Sequence, residues 1–240
     1  MLPNALLLLA ITALSSTLAV LAPCSFNSNR TIPEMSTQQL LAAAPGICTT
    51  VTKECHPAPE AVKEINTAFA HYGLTSLGQK AALLGAMTVE SEDFIYNVNK
   101  FPGRPGQGTK AMLMFPHIYY YAFSQPALTA EVLRISGGVD RNVTFGNMNR
   151  TSAADQMAIR ELVLPEKYTY AAAPWYLKNR CQASMTARLA EGGFEGFKEY
   201  VGACIWAGNV TTERLGKWCS AVRALKPVEM RMPGECKPCS

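Results

Sequence analysis

Three acids close the segment AALLGAMTVESED at residues 81–93: Glu90, Glu92 and Asp93. Leu83, Met87 and Glu90 fall at intervals of four and three, so on a helix they share one face and Glu90 extends an apolar stripe. A carboxyl beside apolar neighbours prefers its neutral form, and a neutral carboxyl can donate a proton. Protonating a glycosidic oxygen is the chemistry that such a group suits. The negative charges of Glu92 and Asp93 push the same way. By pattern alone Glu90 can also be read as capping nothing, with Glu92 and Asp93 as ordinary surface acids after a helix end, because clustered acids point to a site only probabilistically.

The segment behind the acids, IYNVNKFPGRPGQGT, holds no carboxylate, and none follows Asp93 until Glu131. Its Pro and Gly residues forbid regular structure and demand a shaped loop. A retaining glycosidase needs a second carboxylate about 5–5.5 Å from the first, and an inverting one needs a base about 6.5–9.5 Å away. Asp93 is the nearest candidate base; otherwise a water held by Gln107 or Thr109 must attack, which favours an inverting scheme with one strong acid. Arg104 and Lys110 flank the loop and read either as contacts to an anionic polymer or as solvated charge. His117 stands among aromatics in MFPHIYYYA and reads as a packed or surface histidine rather than a catalytic base. His56 and His71 stand alone, without a nucleophilic Ser or Cys constellation.

These residues need elements to hold them. A helix starting near Glu60 carries Val62, Ile65, Phe69 and Tyr72 at helical spacing and stops at Gly73; Ser76 caps the next, which leads to Glu90. Further helices are expected over 110–122, 127–135, 153–163, 173–190, 194–206 and 212–225, with a loop at 137–149. No repeat, heptad run or alternating strand series appears. The expected fold is mainly α, one domain over 60–227, preceded by a Cys-containing extension or pro-segment at 23–59 and followed by a Cys-containing tail at 228–240.

The first 22 residues are apolar, end in small residues and read as a secretory signal peptide, so the expectation is a secreted, extracellular protein with no membrane association after cleavage. Eight cysteines lie beyond that cut, an even count that suits disulfides in an oxidising compartment. Cys181 with Cys204 is the first expected pair. Cys24, Cys48 and Cys55 at one end and Cys236 and Cys239 at the other would staple the termini to the body. Cys236-Lys-Pro-Cys239 has CxxC spacing, but one such pair without a second or a paired His is weak for zinc, so no metal or cofactor is expected. Sequons at Asn29, Asn142, Asn149 and Asn209 mark candidate glycosylation sites. A net charge of +4 favours acidic surfaces and falls short of a nucleic-acid footprint.

The order Glu-Ser-x-x-Phe (Glu90 to Phe94), Tyr-Asn-x-Asn (Tyr96 to Asn99) and FPGRPGQGT resembles the lysozyme-like superfamily, and within it secreted fungal muramidases of glycoside hydrolase family 184. Pro174-Trp175 through Cys181, Tyr200 to Cys204 and Arg214 to Trp218 are similar to that group's later helices, so the resemblance spans about residues 60–225. It implies a lysozyme-like domain with Glu90 as general acid at the end of a cleft helix. It implies a groove lined by the turn Gly106-Gln107-Gly108-Thr109, whose Gln107 and Thr109 bind N-acetyl groups. Tyr96 is then a stacking or a core ring, and Asn97 and Asn99 bind sugar hydroxyls. The implied partner is a cell-wall polysaccharide, peptidoglycan or chitin. A chitinase or chitosanase, or a glycan-binding effector without turnover, are the alternatives. Glu92 departs from the pattern, where a small or neutral residue is expected.

Overall fold

The computed structural model describes residues 26–236. The expected leader at 1–22, together with Cys24 and Cys239, lies outside the described residues. Among the described residues the structure is mainly α, with no strand. Its helices are α1 Thr37–Ala43, α2 Ala58–His71, α3 Leu77–Glu90, α4 Phe115–Phe123, α5 Thr129–Ile135, α6 Ala153–Glu161, α7 Glu166–Thr169, α8 Ala172–Asn179, α9 Met185–Glu191, α10 Gly193–Glu199 and α11 Thr212–Leu225. None of these helices is long and apolar enough to cross a membrane.

The central element is α3, buried from Leu77 to Thr88. Ser76 starts it with a capping box: its hydroxyl accepts from the Gln79 N–H at 3.3 Å, and Gln79 Oε1 accepts from the Ser76 N–H at 3.2 Å. Helix α11 packs most extensively against α3, with α1, α8, α9 and α10 around them. Gly85 makes the α3–α11 approach possible, because a Cβ there would sit 2.9 Å from the Trp218 Cα. Trp218 is buried beneath Phe26, Phe194 and Phe197, the last stacked on it at 5.5 Å.

Helices α2, α3, α5, α6 and α11 start within two residues of their expected positions. Others differ for local reasons. The expected helix over 110–122 begins only at Phe115, because Thr109 and Met112 take positive φ (71° and 43°). The single helix expected over 173–190 is two, α8 and α9, with Cys181 between them bonded to Cys204. The one expected over 194–206 is α10 continued by one π-type turn, Tyr200–Cys204.

The extension is more than an appendage. Its helix α1 has its own capping box, Ser36 with Gln39, and Ile32, Met35, Leu40 and Ala43 are buried in the common core. Lys80 of α3 donates to the carbonyls of Ile32 and Pro33 at 3.1 and 3.0 Å, and the Asn66 amide of α2 exchanges two hydrogen bonds with the Met35 backbone. The Cys181–Cys204 pair forms as expected. Cys48 instead bonds Cys55, closing a local loop rather than stapling the extension to the body. Cys236 ties the tail to Cys219 of α11. All four sequon asparagines are exposed.

The α3–α11 contact gives a test with opposite signs. Intrinsic helix preference favours alanine over glycine by ~1 kcal/mol, yet overpacking a filled contact costs about 1–3 kcal/mol. Gly85→Ala should therefore lower the urea unfolding midpoint. Gly216→Ala, on α11 with nothing near its Cβ, should raise it.

Candidate functional site

The turn that ends α3 sets the position of Glu90. Glu92, Asp93 and Phe94 are three consecutive residues with positive φ (49°, 54° and 66°), a left-handed run that costs L-residues on the order of 1–2 kcal/mol each. Ser91 holds it together: buried, its hydroxyl donates to the Met87 carbonyl at 2.6 Å and accepts from the Phe94 N–H at 3.0 Å. The Asp93 N–H reaches back to the Thr88 carbonyl at 2.8 Å. Phe94 is buried against the Tyr170 ring at 5.7 Å. Thus in Glu-Ser-x-x-Phe the Ser and Phe build a reversal that leaves Glu90 as the last helical residue, at the edge of the core.

Glu90 faces a cavity of about 780 Å³. Among the side chains lining it, Glu90 is the only carboxylate; Arg104, Arg180, Arg214, His117, Gln107 and Asn179 are among the other polar groups. Apolar wall comes from α3 (Met87), the 111–114 segment (Met112, Leu113, Met114) and the 205–207 segment. Arg214, one turn into α11, donates to Glu90 Oε1 at 2.8 Å. Glu90 is therefore half of an ion pair rather than the lone carboxyl in an apolar wall that the helical stripe implied.

Asp93 goes elsewhere. Its carboxylate pairs with Lys217 and accepts from the Gly46 N–H at 3.1 Å, buried between α11 and the extension and away from the cavity lining. Arg214, Lys217 and Trp218 lie at i, i+3 and i+4, so one face of α11 holds both acids and packs on α3. Glu92 is exposed and does not line the cavity.

The loop residues divide likewise. Gln107 lines the cavity; its Nε2 donates to the Met112 carbonyl at 3.0 Å, and its buried Oε1 has no partner. Thr109 is fully buried, its N–H on the Asn97 carbonyl at 2.7 Å and its hydroxyl accepting from the Ala111 N–H at 3.3 Å, so it shapes the turn from within. Asn97 is buried, its N–H donating to Glu54 Oε2 at 2.7 Å. Asn99 Oδ1 accepts from the Gly103 N–H at 2.8 Å, and Tyr96 lies under the Lys100 ammonium at 5.4 Å. Neither Tyr96, Asn97, Asn99 nor Thr109 is part of the cavity lining.

Lys110 meets no polymer. It is fully buried, and its ammonium donates to the carbonyls of Glu54 and Phe94, each at 2.8 Å, and of Tyr96 at 3.3 Å. Burial pushes it down to about 7 from the usual lysine range, with Glu54 opposing. It serves as an internal tie between the Cys48–Cys55 loop and the turn after α3. His117 does reach the cavity, its ring edge-on to Tyr176 at 4.9 Å and to Phe145 at 5.2 Å. Sequence spacing gave no hint of Arg214, Arg180 or Trp206 as cavity residues, since each arrives from a segment more than eighty residues away from Glu90.

No family model matches the chain, and no solved structure matches it. A curated bifunctional dioxygenase (DOX)-epoxy alcohol synthase (EAS) of Fusarium oxysporum (strain Fo5176) is 29% identical over 146 residues, covering 61% of this chain and 11% of that protein. The chain thus spans a small part of that relative's length, and the activities in its name are those of the larger protein.

His117 yields a pH prediction. Burial, then the nearby Arg180, lowers it to about 4 from the ordinary histidine value. Between that value and about 6.5 the unfolded chain binds the extra proton and the folded one does not, so this contribution to stability is present above 6.5 and lost as pH falls toward 4. Urea denaturation across that window should show a shallower pH slope for His117→Gln than for the unaltered protein.

Proposed function

We propose that the protein is a secreted glycoside hydrolase of the lysozyme-like kind, cleaving β-1,4 links of peptidoglycan, with chitin as the other candidate polymer. The observation that carries this reading is the position of Glu90: the one carboxylate among the described lining residues, at the end of a buried helix, over a cavity of ligand-binding size. Released from Arg214, Glu90 takes a proton from solvent and passes it to the glycosidic oxygen as the bond to the anomeric carbon breaks. A water adds to that carbon from the other face and releases its proton to solvent, which leaves the configuration inverted. Gln107 is the uncharged polar side chain that the loop puts on that wall, and it orients the water once its buried, unpartnered carbonyl oxygen turns toward the cavity. Arg214 holds Glu90 before substrate arrives and must exchange its partner as the glycosidic oxygen approaches.

The Glu90–Arg214 pair also favours a second reading, a secreted glycan-binding protein that retains its ligand without turnover. Clearing of bacterial wall suspensions and release of reducing ends from chitin separate the two, and separate the substrates. Under the hydrolase reading Glu90→Gln lowers turnover by about 10²–10⁴-fold, the contribution of a placed general acid. Asp93→Asn keeps turnover within a few-fold but destabilises the fold by about 3 kcal/mol, because it leaves Lys217 part-buried without its partner. Undiminished clearing by Glu90→Gln overturns the catalytic assignment. Absence of turnover on both polymers, with retained pull-down, establishes the binding protein.

A further inference from the structure

Three tryptophans lie among the described residues. Trp175 and Trp218 are 4% and 1% exposed, whereas Trp206 is 80% exposed and lines the cavity that holds Glu90. Tryptophan is highly buried on average, so a nearly free indole at a cavity is the informative exception. Its backbone adds to the point: φ is +54°, a region that bulky L-residues rarely adopt and that persists only when the surroundings enforce it.

The surroundings do enforce it. Trp206 follows the π-type turn Tyr200–Cys204, and the N–H groups of Ile205 and Ala207 donate back to Tyr200 and Val201 at 3.0 and 2.9 Å. Cys204 is bonded to Cys181, and its carbonyl accepts from the Tyr176 hydroxyl at 3.3 Å. The indole is thus presented on a fixed backbone anchored to α8. Asn179 and Arg180, exposed donors at the end of α8, line the same cavity, as does the half-exposed Phe145. The other strongly exposed apolar side chains, Phe101, Val51 and Val228, do not.

We propose that Trp206 is a stacking platform for a pyranose ring of the bound polymer, with Asn179 and Arg180 as donors to its hydroxyl or acetamido oxygens. This rests on the glycan reading of the cavity given above. A pyranose offers an apolar C–H face edged by polar oxygens, and a rigid indole flanked by side-chain donors is complementary to both. A lipid surface would require a wider apolar patch.

Because the other two indoles are buried, the iodide-accessible fluorescence of the protein reports Trp206. Titration with the N-acetylglucosamine pentamer should change this emission saturably and protect it from iodide. Trp206→Ala should abolish the response and weaken pentamer binding about fivefold to tenfold, the size of an aromatic stacking contribution, while Trp206→Tyr keeps most of the affinity. Pentamer binding or wall cleavage equally efficient in Trp206→Ala overturns the platform and leaves the role of Glu90 untouched. An indole response to phosphatidylcholine vesicles in place of the pentamer overturns it as well. A normal response to the pentamer in a protein that cleaves neither polymer supports the platform and removes the hydrolase.

Discussion

Everything at the site depends on how closely α3 and α11 approach. Gly85 has no Cβ where Trp218 needs its backbone, and that one vacancy brings α11 onto α3 along its length. Once the helices touch, the face of α11 that carries Arg214, Lys217 and Trp218 meets the end of α3. Arg214 then reaches Glu90, Lys217 reaches Asp93, and the indole of Trp218 fills the space beneath Phe197. Two acids three residues apart are sent to opposite fates by two cations three residues apart on another helix. One is left on a cavity wall; the other becomes a buried tie to the extension.

Strain is concentrated where the chain must turn beside the cavity. The left-handed run at 92–94 follows Glu90, which lines the cavity, and Met112 and Trp206, both with positive φ, line it too. Each is held by buried hydrogen bonds: Ser91 at the first, the Asn97 carbonyl at Thr109 ahead of the second, the Tyr200 and Val201 carbonyls at the third. The Lys110 ammonium gathers carbonyls from the first of these turns and from the extension, as a bound cation would. Such overdetermination keeps unfavourable conformers populated and makes the cavity wall rigid.

The balance of charge on that wall bears on ligand choice. Three arginines face one glutamate, and His117, half-buried near Arg180, stays neutral through the physiological range. The lining is therefore cationic with aromatic and methionine patches. That combination suits a ligand with acceptor oxygens around apolar faces.

Local periodicity was enough to read the helical class, the start of α3 at Ser76, its course to Glu90 and the full span of α11, because capping boxes and apolar stripes are written in neighbouring residues. The Cys181–Cys204 pair was also legible from its place on successive helical segments. What the sequence did not disclose was α1 as part of the core, the break between α8 and α9, and the sorting of the loop residues, with Gln107 on the cavity and Thr109, Asn97 and Lys110 inside the fold. Nor did it disclose the ion pair on Glu90 or the exposed indole across the site. The ion pair, the docking of α1 on α11 and the Lys110–Glu54 tie join segments more than forty residues apart, and a contact over such a distance depends on which helix faces meet. Propensity and spacing select the elements; close packing at Gly85 decides what they place together.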